Sequence, residues 1–187
     1  MPKCCDCENE AMVGTNKKTT MPYKRCKPCA DIARAKFKAT IQASVEARGN
    51  LLERFAEIWG AACLAGEMAG KACTPVAMVV GSPSTPLGND IDPNQPTYFV
   101  DDGVCGFAAV NVSPANCAFA NWLKKTDKGR YDSYQGVVSY WIHDYNQSMT
   151  RKEAHARAMS KYLNEHLEEL QGTGKRAPCI RAWSRMD

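Results

Sequence analysis

The chain has 187 residues, of which 44% are hydrophobic, which is enough for a packed core and argues against global disorder. Its net charge of +4 is unevenly distributed, because residues 1–50 and 111–187 carry an excess of Lys and Arg while residues 51–110 carry an excess of Asp and Glu. No apolar run approaches the length of a membrane span, and no apolar segment typical of a signal peptide follows Met1, so we expect a protein that is neither membrane-spanning nor secreted.

Two Cys-x-x-Cys pairs stand near the start of the chain. Cys4 and Cys7 are separated from Cys26 and Cys29 by 18 residues, a spacing typical of a zinc site. Four thiolates close the tetrahedral shell of Zn²⁺, which makes such a site structural rather than catalytic. The sequence therefore predicts a zinc knuckle or ribbon over residues 1–29, with Zn²⁺ as its cofactor.

Basic residues cluster in and beside the predicted knuckle. A zinc module that presents such a cluster can bind the phosphates of nucleic acid, although a solvated surface is the alternative. The predicted nucleic-acid-binding residues here are Lys17, Lys18, Lys24, Arg25 and Lys27.

Residues 30–73 are predicted to form a helical arm, with a break between two helices at Gly49-Asn50. An Ala- and Gly-rich face over residues 61–70 can pack tightly, either on its own domain, which we favour, or on a second copy in a homo-oligomer. Residues 74–97 hold five of the ten prolines and are predicted to be an extended linker, with a short strand at 78–80.

Residues 98–187 are predicted to form a compact β-α-β-α-β domain, so that the whole chain is of the α+β class. We expect strands at 98–100, 104–112, 136–143 and 179–183. Ser113-Pro114 is typical of a helix start, with a helix to about Lys125, and Thr150 with Glu153 fits a capping box for a helix to about Leu170.

Four segments of this half carry a resemblance: 103–110, 121–125, 145–149 and 184–187. They resemble an uncharacterised family of tailed-bacteriophage proteins with an N-terminal Cys₄ zinc knuckle. The resemblance covers about the C-terminal half and carries no known activity. It implies a setting in the host bacterial cytoplasm or the virion.

A second cluster of aromatic and basic residues follows the first predicted helix of this domain. Interleaved aromatic and basic side chains are typical of surfaces that bind single strands, whereas the alternative, which we favour, is a core tryptophan beside a solvated helix end. The cluster comprises Trp122, Lys124, Lys125, Lys128, Arg130, Tyr131 and Tyr134, of which we assign Lys124, Lys125 and Arg130 to nucleic-acid binding.

Catalysis has little support in the sequence. Cys105 and His143 could form a thiol–imidazole pair oriented by Asp144, but a packed cysteine and a core histidine are the commoner explanation. The pattern favours a non-enzymatic, phage-encoded accessory protein that contacts nucleic acid or a host nucleic-acid machine. The alternatives are a virion structural or assembly component, an inhibitor of a host protein, and a small Cys/His enzyme.

Overall fold

The computed structural model describes residues 26–172 and 176–187. Contacts divide the chain into two units, Met1–Asn50 and Leu51–Asp187. The elements are α1 (Lys27–Ala72), β1 (Met78–Val80), β2 (Tyr98–Val100), β3 (Gly106–Ser113), α2 (Ala118–Lys125), β4 (Arg130–Asp132), β5 (Val137–Trp141), α3 (Met149–Glu165), α4 (Leu167–Gln171) and β6 (Cys179–Met186). This mixture of helix and sheet confirms the predicted α+β class, while the predicted knuckle lies almost wholly outside the described residues.

The second unit is built on a four-stranded antiparallel sheet in the order β4-β5-β3-β6. The chain order β3-α2-β4-β5-α3-β6 with this strand order is the split β-α-β connectivity, also called ferredoxin-like. The prediction of β-α-β-α-β lacked β4, a three-residue strand that pairs Arg130 with Ser139. A strand this short contains too little alternation of apolar and polar residues to be detected in the sequence.

One face of the sheet forms the hydrophobic core with the helices. Alternate residues of β3, namely Ala108, Val110 and Val112, are buried in one cluster with Val138 of β5 and Ile180 of β6. Helix α3 packs on β3 and β6, and α2 on β4 and β5. Helix α2 contributes Phe119, Trp122 and Leu123, which are buried in this core.

The second half of α1 also packs on this core. Phe55 makes an edge contact with Phe119 at 5.5 Å between ring centroids, and Trp59 contacts Tyr140 of β5 at 5.0 Å. Large apolar residues recur here at helical spacing, and Leu52 is an exception among them because it is 40% exposed, whereas Phe55, Ile58 and Trp59 are buried. The predicted break at Gly49-Asn50 is wrong, because α1 continues through both residues; one glycine costs a helix only about 1 kcal/mol.

The small-residue face of α1 is covered within the second unit. Gly66 lies against the ring of His155, and Gly70 lies against the ring of Tyr145. Both glycines are buried, as expected if this face packs on its own domain, so they are not available to a second copy of the chain.

Two predicted helix starts are wrong. Ser113 is the last residue of β3, where it pairs with Cys179, and α2 begins instead at Ala118 with Cys117 as its N-cap. The Sγ of Cys117 accepts a hydrogen bond from the N–H of Ala120 at 3.3 Å, so a thiol takes the role that sequence rules assign to a hydroxyl.

The capping box predicted at Thr150 is also absent. Helix α3 begins at Met149 after Ser148, whose hydroxyl donates to the carbonyl of Asp102 and makes no cap hydrogen bond. Glu153 instead forms an ion pair with Arg157 at 2.6 Å. The helix predicted to reach Leu170 is interrupted at His166, between α3 and α4.

Within the predicted linker, residues 78–80 form the expected strand and pair with β2 as an antiparallel ribbon. Its side chains are largely exposed, with Val79 at 52% and Phe99 at 69%. No helix of the described residues is long and apolar enough to cross a membrane.

Candidate nucleic-acid interface

The second face of the four-stranded sheet carries a cluster of aromatic side chains. Successive residues of a strand point to opposite faces, so Phe107, Ala109 and Asn111 of β3 lie opposite the core side. Ala109 pairs with Trp141 of β5 on one side and with Trp183 of β6 on the other. Ala109 is 1% exposed yet does not belong to the core cluster, because the side chains that bury it lie on this second face.

Three rings form a continuous aromatic surface on this face. Trp141 contacts Phe107 at 6.1 Å between ring centroids and Trp183 at 5.5 Å, in both cases edge to face. All three side chains are partly exposed. Edge-to-face packing fixes the rings relative to one another, and each residue keeps some exposed surface that a ligand could contact.

Cations lie over two of these rings, those of Phe107 and Trp183. The guanidinium carbon of Arg185 is 5.4 Å from the centroid of Phe107 and 5.9 Å from that of Trp183. The Nζ of Lys152, on α3, is 5.7 Å from the centroid of Phe107. Such cation–π contacts hold positive charge at the aromatic surface.

Lys152 is unusual because it is 7% exposed and, within the described part of the chain, donates a hydrogen bond only to the carbonyl of Gly106, at 3.2 Å. Among the described residues, neither Lys152 nor Arg185 forms an ion pair with a carboxylate. Burying the ammonium group of Lys152 without a counter-ion is costly. An anion bound beside Lys152 and Arg185 could neutralise the positive charge of both side chains.

A polar row crosses the sheet beside the aromatic rings. The register aligns Arg130 of β4, Ser139 of β5, Asn111 of β3 and Arg181 of β6 side by side. Both arginines are exposed, and Ser139 is 5% exposed. We name the aromatic rings with these flanking polar and basic residues the platform: Phe107, Trp141, Trp183, Asn111, Ser139, Arg130, Arg181, Arg185 and Lys152.

The predicted zinc ligands are only half described. Cys26 is buried and immediately precedes α1, and Cys29 lies in the first turn of that helix. This placement of two thiols three residues apart at a helix start fits two ligands of one metal ion. Cys4 and Cys7 lie outside the described residues, and no group of three metal-ligating side chains occurs within residues 26–172 and 176–187.

Of the nucleic-acid-binding residues predicted beside the knuckle, the structure describes only Lys27. Lys17, Lys18, Lys24 and Arg25 lie outside the described residues, and Lys27 is exposed at the first position of α1.

The residues of the second predicted cluster, which are all described, have different surroundings. Trp122 is buried in the core, as the favoured alternative expected, and Lys124 donates to the carbonyl of Ala115 at 2.8 Å. Lys125 is exposed at the end of α2. Only Arg130 lies on the platform.

The thiol–imidazole pair considered in the sequence is not formed. Cys105 pairs with Ser148 in an isolated bridge, and His143 is exposed after the end of β5. In the described part of the chain, no hydrogen bond joins Cys105 to His143. Burial raises the pKa of the Cys63 thiol to about 11, so the neutral thiol, a weak nucleophile, predominates there.

Sequence reasoning missed Phe107, Trp141 and Trp183. A signal was present in β6, where Arg181, Trp183 and Arg185 recur at every second residue, the period of one face of a strand. The short prediction for this strand, ending at Trp183, did not include Arg185. The rings come together because β3 pairs with β5 and β6. This pairing joins residues that are distant in sequence, so local sequence patterns do not predict it.

Comparisons of the chain with family models, with curated proteins and with solved structures give no match. The assignment of this surface as a candidate interface therefore rests on the geometry of its residues.

Proposed function

We propose that this protein binds single-stranded nucleic acid on the platform. The observation that carries the proposal is the set of three contacting, partly exposed rings on the second face of the sheet, Phe107, Trp141 and Trp183. Bases stack on such rings at about 1–3 kcal/mol per base, and single strands offer unstacked bases to them.

Charge supports the same assignment. Arg130, Arg181 and Arg185 are exposed around the rings, and no Lys or Arg occurs between Lys71 and Lys124 in the sequence. Positive charge in this unit is thus concentrated near the aromatic rings and on the helices rather than spread along the chain. Arginine beside aromatic rings can contact backbone phosphates while the rings bind bases.

Topology supports the assignment by analogy. RNA recognition motifs present aromatic residues of a four-stranded sheet to two or three bases. The similarity concerns the order of strands and helices. It supports nucleic-acid binding only because the aromatic residues here also occupy neighbouring strands.

Nucleic acid is thus proposed to bind the platform on the sheet, whereas the sequence predicted contact mainly through the knuckle. Contact through the knuckle lysines stays a prediction, as do the phage setting, the virion role and the inhibition of a host protein. We favour the platform because its residues lie together on one face of the sheet.

The test is fluorescence titration of the full-length protein with labelled single-stranded oligonucleotides across a salt series. We expect Trp141→Leu and Trp183→Leu to weaken binding by roughly 5- to 100-fold each, because leucine keeps apolar volume but removes the stacking surface. Arg185→Ala should weaken binding less and lower the slope of log K against log salt by about 0.7.

Two matched controls separate the platform from the rest of the surface. Tyr134→Ala removes an aromatic ring that is 97% exposed in the turn between β4 and β5. Lys161→Ala removes an exposed cation of α3. Both should bind as the wild type does; the absence of binding by the wild type at low salt would refute the proposal.

A further inference from the structure

Two cations share one aromatic ring where β3 begins and β6 ends. The Nζ of Lys152 and the guanidinium carbon of Arg185 lie 5.7 Å and 5.4 Å from the centroid of the Phe107 ring. Arg185 is exposed, whereas Lys152 is 7% exposed. Among the described residues, no carboxylate forms an ion pair with either of them. Two like charges thus lie beside one ring, and the described residues supply no counter-ion.

The position of Lys152 in α3 makes its positive charge more costly. The first turn of this helix contains Arg151 and Lys152 but no acidic residue. The Nζ of Lys152 donates to the carbonyl of Gly106, and a Cβ added at Gly106 would be 2.9 Å from the Sδ of Met149, the first residue of α3. The ammonium group is therefore close to the helix start, where the helix dipole disfavours cations and favours anions.

The charge of the two side chains indicates which anion suits them. A phosphomonoester carries a charge of about −1.5 to −2 at pH 7 and three strong acceptor oxygens, so it can balance both cations. An internal phosphodiester of a nucleic acid carries one negative charge and balances only one of them. It also has two ester substituents, which hinder its approach to a side chain as enclosed as Lys152.

We propose that Lys152 and Arg185 form a binding site for a phosphomonoester group beside Phe107. The guanidinium of Arg185 and the ammonium of Lys152 each donate to its oxygens in charge-assisted hydrogen bonds. On a single strand held by the platform, the group is the phosphate at a strand end. The anion site depends only on its own residues, whereas the role at a strand end rests on the proposed binding of single strands.

Inorganic phosphate is the probe for the site itself. Urea unfolding of the full-length protein is followed at low phosphate concentrations and at an ionic strength kept constant with chloride, because concentrated phosphate stabilises folded proteins by exclusion from their surface. The urea midpoint of the wild type should rise with phosphate, because a ligand that binds only the folded state stabilises it. Lys152→Met, which keeps the apolar part of the side chain, should lose this rise.

Two further variants keep this measurement decisive. Arg185→Gln replaces an exposed side chain and should also lose the rise, so it gives the answer if Lys152→Met does not fold. Lys161→Met replaces an exposed lysine of the same helix and should keep the rise of the wild type. No rise in the wild type, or the same rise in Lys152→Met and Arg185→Gln, would overturn the anion site.

Oligonucleotides of one sequence with a phosphate at the 5′ end, at the 3′ end or at neither end test the role at a strand end. The wild type and Lys161→Met should bind one phosphorylated form about 10-fold more tightly than the unphosphorylated form, within the strength of charge-assisted hydrogen bonds. Lys152→Met should lose that preference. Equal binding of all three by the wild type would overturn the role at a strand end and leave the platform proposal standing. Stabilisation by phosphate without binding of any oligonucleotide would support the anion site and refute the platform proposal.

Discussion

At the scale of single residues, His155 is the most constrained titratable group of the second unit. It is 1% exposed on α3, its Nδ1 is 3.1 Å from the hydroxyl of Tyr145, and its ring contacts Gly66 of α1. Burial lowers the pKa of His155 below its usual 6.5, and the nearby carboxylates Asp144 and Glu67 only partly offset this effect. The neutral imidazole is thus the form that packs between the two helices.

A pH dependence of stability follows from this burial. Because the folded state disfavours the protonated imidazole, the free energy of unfolding retains this contribution above pH 6.5 and loses it as the pH falls from 6.5 through the lower folded pKa. His155→Gln should reduce the overall stability but flatten the slope between pH 6.5 and 5. Urea unfolding at several pH values measures both quantities.

The control for this prediction is His143→Gln, which replaces an exposed histidine after β5. It should leave the slope as in the wild type. If His155→Gln keeps the full slope, the acid sensitivity arises from other groups, but Glu169 is not one of them. Hydrogen bonds from Arg54 and His166 lower the pKa of Glu169 to about 2, so its own contribution is lost only at more acidic pH.

At the scale of elements, the packing of α1 on the second unit depends on where its glycines lie. A Cβ added at Gly66 would be 2.4 Å from the Cδ2 of His155, and one added at Gly70 would be 2.4 Å from the hydroxyl of Tyr145. A Cβ added at Gly60, on the same helix, would meet nothing within 4 Å. Close approach thus requires glycine at the first two positions and not at the third.

This difference gives a matched pair of substitutions on one helix. Gly66→Ala should destabilise the protein by about 1–3 kcal/mol, because the ring of His155 is buried and cannot move away freely. Gly60→Ala should stabilise it by up to about 1 kcal/mol, the difference in helix propensity. Urea midpoints of both variants check the prediction, and equal effects at the two positions would contradict it.

The elements also show which predictions the sequence could support. The second half of α1 and the inward face of α2 were predictable because large apolar residues recur there at helical spacing. The starts of α2 and α3 were not, because Ser113 and Ser148 engage tertiary partners, Cys179 and Asp102, that compete with capping. Of the predicted nucleic-acid-binding residues that the structure describes, only Arg130 lies on the platform, since the aromatic rings meet through strand pairing rather than through proximity in sequence.

At the scale of the whole molecule, the two units have different expected sources of stability. The second unit, Leu51–Asp187, contains the hydrophobic core cluster of the described residues and all four tryptophans, at positions 59, 122, 141 and 183. The first unit contains the predicted Cys₄ site, and a segment of about thirty residues buries too little apolar surface to fold without a metal ion. Metal removal should therefore act on one unit and not on the other.

Zinc content and chelation test this division. We expect about one Zn²⁺ per chain in the purified protein, as four thiolates form one closed shell. Cys26→Ser and Cys29→Ser should lower the zinc content, while Cys5→Ser, adjacent to the predicted ligands, should not. Chelation should change the far-ultraviolet circular dichroism yet leave tryptophan emission and the affinity of the platform for single strands nearly unchanged. Loss of the native tryptophan signal on chelation would show that the metal supports the sheet unit as well, and a zinc-free native protein would rule out the Cys₄ site.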